Sequence, residues 1–428
     1  MMQIHDLKLK EDVLPFFNFT NNTYSEEQLL YLLTTPPVTE AEVRDRTTVI
    51  KGMLANWAVM ENFTYRKLDL LEVHTFMVAI AGTGLNKKKL QSWLRLKTSE
   101  TERQQLQSKL VQLIQLLNGL QAQYLNRLNS AVFPEQFKSD LVRTVSFLNS
   151  LNLDKLANQV LEHRFRVRDM IKFSEQLSTL NQDEVSAFWD YFFTFEAYWS
   201  VAKATLVHGF TFPGFSDDNF SIGDFYHPIV KSPVRNTLLL EEDKNVLLLT
   251  GPNMSGKSTL LKAIGLCVYL AHVGFTVPAS TCTVPYFNTI AIAINLNDNL
   301  RDGYSHFMAE IENLRKVVRS TENSQKCFAV FDEIFRGTNV DDALDITQTT
   351  INGLTKIKGS YFLISTHLLQ LEEQLHSSSY ESIKEYFIEC VLENETPRFT
   401  YKLKEGWSQL KIGRILFEQV GLSELLGK

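Results

Sequence analysis

Cysteine is scarce in this chain: Cys267, Cys282, Cys327 and Cys390 are the only four in 428 residues, and no two form a C-x-x-C pair. That spacing excludes a zinc ribbon or a disulfide framework as the organising principle. Long apolar runs are also missing. The longest, residues 263–277, is broken by His272 and Gly274 and falls short of the roughly 20 residues that cross a bilayer. The first thirteen residues are polar and of mixed charge, without the apolar core of a signal peptide or the Arg-rich bias of a transit sequence. The expectation is a cytoplasmic protein with no membrane partner. An excess of positive charge is absent as well: 43 Lys and Arg stand against 49 Asp and Glu, a net −6. A basic surface of the kind that displaces counterions from nucleic-acid phosphate is therefore not a property of the whole chain.

What is present is an ordinary globular composition, 44% apolar and 21% charged, long enough for two or three domains. The charge is unevenly spread. Residues 81–180 hold 15 Lys and Arg against 8 Asp and Glu, so any contact with DNA is expected there; a solvated helical face is the plain alternative. Up to about Val207 apolar residues recur at three- and four-residue spacing and glycines are few, a helical pattern. A capping box from Ser99 to Glu102 opens a stripe of Leu106, Leu110, Leu113, Leu117, Leu120, Tyr124 and Leu128, predicting a long helix packed along another. Residues 159–180, with Arg164, Arg166 and Arg168, read as a second helix. The aromatic-rich residues 184–207 read as a third, more fitted to a buried bundle core than to stacking on bases.

From 209 to 224 the texture changes to Phe, Gly, Pro, Ser and Asp, which reads as a linker or irregular entry to a new domain. Beyond it, apolar β-like runs at Val246–Thr250, 289–294, Cys327–Phe331 and Tyr361–Ser365 alternate with helical segments. That alternation predicts an α/β domain with a largely parallel sheet.

The first of these runs leads into Gly251-Pro252-Asn253-Met254-Ser255-Gly256-Lys257-Ser258-Thr259 and then a helical stretch. This is G-x-x-x-x-G-K-[ST] in the strand–loop–helix context that gives it meaning. Glycines let backbone N–H groups turn toward the β- and γ-phosphates of ATP, the helix N-terminus adds partial positive charge, and Lys257 supplies a full one. Ser258 is left to hold Mg²⁺. The run Cys327–Phe331 delivers Asp332 and Glu333 at its C-terminal end, where α/β sheets bind ligands. Asp332 is assigned to the metal and Glu333 to the attacking water. A third run ends in Ser365-Thr366-His367, which would place His367 as a sensor of the γ-phosphate.

These residues resemble the MutS proteins, within the ABC class of ATPases. The loop T-G-P-N-M-S-G-K-S-T differs from that family's usual T-G-P-N-M-G-G-K-S-T only at Ser255. His227-Pro228 and Asn236 are similar to the family's H-P and Asn ahead of the nucleotide strand, implying that this segment borders the adenine. Val277-Pro278-Ala279, the run from Ser305 to Glu310, the run from Asp332 to Asn339, and Ser365-Thr366-His367 complete six ordered matches over residues 220–428. The resemblance implies a dimer, with a second copy or a related ATPase, in which Ser305 of one subunit faces the nucleotide of the other and levers carry the closure to DNA. Residues 29–33, Pro37, Arg46 and Ile50 echo the opening of the family's lever domain.

The expected architecture is thus α + α/β: a helical lever/core-like domain over residues 1–210 and an ABC-type P-loop ATPase domain over 211–428. Against the family's pattern, the mismatch-reading and connector domains, a full clamp and a terminal nuclease module are expected to be absent. Phe133 with Glu135 and Phe173 with Glu175 form Phe-x-Glu triplets, but not in the domain that carries the family's Phe wedge. The leading function is an ATP-hydrolysing, DNA-associated protein of the mismatch-repair class. The alternative is a nucleotide-gated scaffold that docks protein partners without holding DNA; a chromosome-maintenance-type ATPase would need a long coiled-coil insertion that is not seen.

Overall fold

The computed structural model describes residues 2–84, 99–217, 219–241, 243–294, 306–322, 325–335, 338–368, 370–375, 382–393, 396–408, 415, 417–418 and 425–426. They fall into two compact units, one of Phe17–Leu32 with Arg44–Ala204, the other of Met1–Phe16, Leu33–Val43 and Thr205–Lys428.

The first unit is helical, built largely from α1 (Thr23–Thr34), α2 (Glu40–Ala55), α3 (Lys67–Ile80), α4 (Glu100–Gln123), α5 (Glu135–Ser150), α6 (Leu153–Leu161), α7 (Val167–Ser178) and α8 (Gln182–His208). The cap expected for α4 is present, with Ser99 Oγ accepting from the Glu102 N–H at 3.4 Å. Leu110, Leu113, Leu117 and Leu120 are buried, and α4 packs against α3 and α6. The aromatic run on α8 is core, as expected: Phe188, Trp189, Phe192, Phe193, Phe195 and Trp199 are all buried. Phe133 and Phe173 are buried too, which makes both Phe-x-Glu triplets packing features.

Within this core lies Glu196, fully buried. Its Oε1 accepts from the backbone and side-chain amides of Asn21 (2.7 and 3.0 Å), and its Oε2 from Asn22 Nδ2 (2.7 Å), Ser25 Oγ (2.7 Å) and Tyr65 Oη (2.5 Å). Burial pushes its carboxyl above the usual range, and these donors pull it back. The network ties the start of α1 to α8 by satisfying every lone pair of a carboxylate that would otherwise be too costly to bury.

One expectation fails here. Residues 159–180 form not one helix but two, because His163 turns into the left-handed region (φ 55°) and the Asp169 carboxylate caps α7 by accepting from the Arg166 N–H at 3.0 Å. Arg164 and Arg166 therefore lie in the turn before α7, and Arg168 in its first turn.

The second unit contains a seven-stranded sheet in the order β1-β7-β8-β9-β5-β10-β11: β1 (Met2–Gln3), β5 (Val246–Thr250), β7 (Thr289–Ala293), β8 (Cys327–Phe331), β9 (Tyr361–Ser365), β10 (Ile383–Glu393) and β11 (Thr396–Glu405). All neighbours are parallel except the β10–β11 hairpin. Every residue of β5, β7, β8 and β9 is buried, which is why these strands read as unbroken apolar runs. Helix α9 (Lys257–Val273) follows β5, α10 (His306–Ser320) follows β7 and α11 (Val340–Leu354) follows β8. A Cβ at Gly265 of α9 would stand 2.9 Å from Ile292 Cδ1, so the glycine sets how closely that helix approaches the sheet.

A smaller sheet, β2-β6-β3-β4, joins β2 (Gly214–Phe215), β3 (Phe220–Phe225), β4 (Asn236–Leu240) and β6 (Thr281–Val284). The stretch 209–224 is thus partly sheet rather than linker. The expected change of domain near residue 210 has a counterpart at Thr205, but two earlier segments also belong to the α/β unit. There β1 pairs with β7, Asp6 Oδ2 accepts from the Ile294 N–H (2.7 Å), and Tyr269 Oη donates to Leu33 O (2.7 Å). No described helix is long and apolar enough to cross a membrane.

Candidate active site

Strand β5 ends at Thr250, and the chain turns through residues 251–256 before α9 begins at Lys257. The turn needs its glycines: Gly251 has φ 146° and Gly256 φ 96°, and a Cβ on Gly256 would press to 3.3 Å from the Tyr401 ring. Met254 takes the same left-handed region at φ 69° without being glycine and stands 77% exposed. Glu333 (φ 54°) and Phe335 (φ 62°), after β8, do likewise. Such backbone costs about 1–3 kcal/mol per residue and collects where a site is held against its local preference.

Because β8, β9 and β5 are consecutive in the sheet, their C-terminal ends lie side by side. Asp332 is bound from two directions, by Ser258 Oγ after β5 and by Ser365 Oγ at the end of β9, each hydroxyl donating to a different carboxylate oxygen. Ser365 Oγ also accepts from the Glu333 N–H at 2.9 Å. The Lys257 ammonium donates to Gly251 O (2.9 Å) and Pro252 O (3.3 Å) and lies 3.7 Å from Glu333 Oε1. Burial lowers its pKa below the ordinary lysine range, while Glu333 and then Asp332 oppose the shift. Asn253, Met254, Lys257, Ser258, Asp332 and Glu333 line one cavity of about 480 Å³.

A second cavity, about 370 Å³, opens on the other side of the loop. Its walls include His227, Asn236, Ser255, Gly256, Ile388 and Tyr401. Asn236 fixes two of these elements together, donating to Tyr401 O (3.0 Å) and accepting from the Leu403 N–H (2.8 Å). Tyr401 is itself in the left-handed region (φ 57°). Burial holds His227 below the usual imidazole range. The hydroxyl of Ser255 is buried and has no hydrogen-bond partner among the described residues.

These facts suit a magnesium-bound triphosphate with its base. The described residues contain no cluster of three or more His, Cys, Asp or Glu for a metal, and the two oxygen donors, Ser258 and Asp332, match an ion that keeps water and phosphate in its remaining positions. Asn253 and Met254 of the loop, Lys257, Ser258, Asp332 and Glu333, all singled out in the sequence, lie around this one cavity. His367 is exposed just beyond β9 and is not among the residues lining the cavity of Lys257 and Asp332. Ser305 lies outside the described residues, as do Arg336 and Gly337. Two site residues carried no role in the sequence reading. Ser365 had its signal in the Ser-Thr-His triplet, whereas Tyr401 had none, since it arrives from a hairpin 145 positions downstream of Gly256.

Residues 247–424 match the family model of MutS domain V. The chain is similar to the DNA mismatch repair protein MutS of Shouchella clausii, 33% identical over 232 residues covering 52% of this chain and 26% of that protein. It is likewise similar to the DNA mismatch repair protein MutS of Bacillus subtilis, 34% identical over 48% of this chain and 24% of that protein. With MutS protein homolog 4 of Mus musculus it shares 29% identity over 63% of this chain and 27% of the mouse protein. The chain thus spans about a quarter of the length of these relatives.

Proposed function

We propose, from the premise that the chain belongs to the MutS family through its domain V, that it is a magnesium-dependent ATPase of the mismatch-repair class whose nucleotide state gates a dimer on DNA. The observation that supports this best is the meeting of three adjacent parallel strand ends at Asp332, with Lys257 and Glu333 in the same cavity. The loop N–H groups of 251–258, Pro252 excepted, and Lys257 would hold the β- and γ-phosphates. Ser258 and Asp332 would hold the magnesium ion, which when bound would neutralise the phosphate charge that builds on transfer. Glu333 orients the attacking water and accepts its proton. The 370 Å³ cavity takes the base, with Tyr401 and His227 as its aromatic walls.

In this reading His367 senses the γ-phosphate, and Ser305 of a second subunit, identical or related, completes the pocket in trans. DNA is held by the helical unit, where Arg164, Arg166 and Arg168 are exposed. The net charge of −6 favours the second reading, a nucleotide-gated scaffold, only if DNA is not bound.

The test pairs two variants. Lys257→Ala is expected to abolish ATP binding. Glu333→Gln is expected to bind ATP as the parent does, to lose about a hundredfold or more in turnover, and to accumulate as a nucleotide-bound dimer in sedimentation. Parent-like turnover by Glu333→Gln removes the water-orienting role, and dimerisation indifferent to ATP in both variants removes the gate.

A further inference from the structure

Strand β1 runs beside the start of β7, with Met2 opposite Ile290 and Gln3 opposite Ala291. The pairing goes no further, because the chain then turns away from the sheet. The Leu7 N–H donates to Ile4 O (3.0 Å), the Lys8 N–H donates to His5 O (3.1 Å), and Lys8 enters the left-handed region at φ 44°. Leu7, 1% exposed, anchors this turn in the core. Where the backbone of β1 leaves off, a side chain takes over. Asp6 Oδ2 accepts from the Ile294 N–H at 2.7 Å, one residue past the end of β7.

The place of that N–H gives the contact its consequence. Ile294 lines the 480 Å³ cavity together with Lys257, Ser258, Asp332 and Glu333. The peptide unit that carries the Ile294 N–H also carries Ala293 O, and Ala293 O accepts from the Asp332 N–H at 3.2 Å. A peptide unit is planar, so its C=O and N–H move as one body. One such plane is therefore gripped from both sides, by Asp6 on the β1 side and by Asp332 on the β8 side. The two bonds differ in strength. A carboxylate acceptor at 2.7 Å makes a short charge-assisted bond, whereas 3.2 Å is the long limit for an amide and a carbonyl. The grip on Asp6 also polarises the plane and strengthens the carbonyl as the acceptor for Asp332.

We infer that Asp6 is a positioning residue of the ATPase centre, clamping the Ala293–Ile294 peptide so that Asp332 is held at the height above the sheet where it meets Ser258. The clamp rests on the ATPase reading only for what Asp332 then does, which is to hold the metal. Asp6 itself touches neither nucleotide nor metal in this arrangement.

The experiment uses the whole chain and two readouts. In the nucleotide-free chain, hydrogen exchange followed by mass spectrometry is expected to be about tenfold faster over residues 289–294 and 327–333 in Asp6→Ala than in the parent. In ATP hydrolysis, the magnesium concentration for half-maximal rate is expected to rise about tenfold in the same variant, while ATP affinity measured in EDTA stays within about twofold because the loop and Lys257 are untouched. Asp6→Asn keeps an acceptor oxygen for the Ile294 N–H and is expected to restore most of both effects. Glu11→Ala, exposed on the same segment, is the control and is expected to match the parent. Parent-like exchange in Asp6→Ala, an ATP affinity in EDTA that falls in step with the magnesium effect, or an Asp6→Asn chain no better than Asp6→Ala would each overturn the clamp. Parent hydrolysis beside an unmoved magnesium requirement would remove the Asp6 role alone, whereas a parent without magnesium-dependent hydrolysis would remove the ATPase reading with it.

Discussion

Ser365 is the residue that couples the two acids of the site. Its hydroxyl donates to Asp332 Oδ1 and accepts from the Glu333 N–H at 2.9 Å, so it fixes one carboxylate directly and the other through the backbone. It touches neither phosphate nor water in the proposed mechanism and is a positioning residue. Ser365→Ala is expected to lower ATP turnover by about 10- to 100-fold, with ATP affinity held within about twofold, and Ser365→Thr to restore most of the loss. Steady-state hydrolysis beside equilibrium nucleotide binding separates the two effects; an equal fall in both would mean that the loop, not the acids, had been disturbed. At this scale the sequence was most informative where chemistry restricts the choice of residue. In the proposed mechanism Lys257, Ser258, Asp332 and Glu333 are each the side chain that a phosphate, a metal or a water demands, at the start of α9 or just after β8. Tyr401 is different, because a tyrosine on a β-hairpin gives no sign that a register 145 positions away will bring it over Gly256.

Among the elements, α9 shows how a strongly apolar helix admits a buried imidazole. His272 is 1% exposed, and its ring bridges α9 to the segment before β7. Nδ1 lies 2.7 Å from Val268 O, and Nε2 accepts from the Phe287 N–H at 2.8 Å, which makes the ring neutral with its proton on Nδ1. Burial lowers its pKa from 6.5 to about 4. In the unfolded chain the same imidazole takes up a proton near pH 6.5, so the unfolded state binds more protons between the two values. The neutral ring therefore contributes its full stability above about pH 6.5, and that contribution declines as pH falls toward 4. From pH 7.5 to pH 5 the loss is about 2 kcal/mol at 1.4 kcal/mol per unit. Urea unfolding at both values is expected to show this difference in the parent and to show it reduced in His272→Gln. An unchanged pH dependence in the variant would place the effect elsewhere. The buried strands and the capped helix α4 were legible because burial on both faces and a Ser-x-x-Glu start are written locally. The break between α6 and α7 was not, since one left-handed histidine and one Asp169 cap override an unbroken apolar periodicity. Strands β2, β3, β10 and β11 escaped for the opposite reason: only some of their residues are buried, and in β3 and β10 a register shift interrupts the pairing.

For the molecule as a whole, net charge does not decide between DNA and a protein partner. The net −6 repels a duplex at long range, yet residues 81–180 are basic, and the described part of that stretch concentrates Arg164, Arg166, Arg168 and Lys172 at exposed positions in and after a single turn. The basic residues 87–97 lie outside the described residues. A turn that sets several cations side by side is worth more to a phosphate backbone than the same charges dispersed, because each contact releases a counterion and steepens the salt dependence by about 0.9 in log–log slope. Replacing Arg164, Arg166 and Arg168 by Ala is therefore expected to reduce the slope for homoduplex binding by up to about 3, measured between roughly 50 and 200 mM salt. A triple variant with parent-like slope would mean that the turn makes no phosphate contact and that DNA, if held, is held elsewhere in the chain.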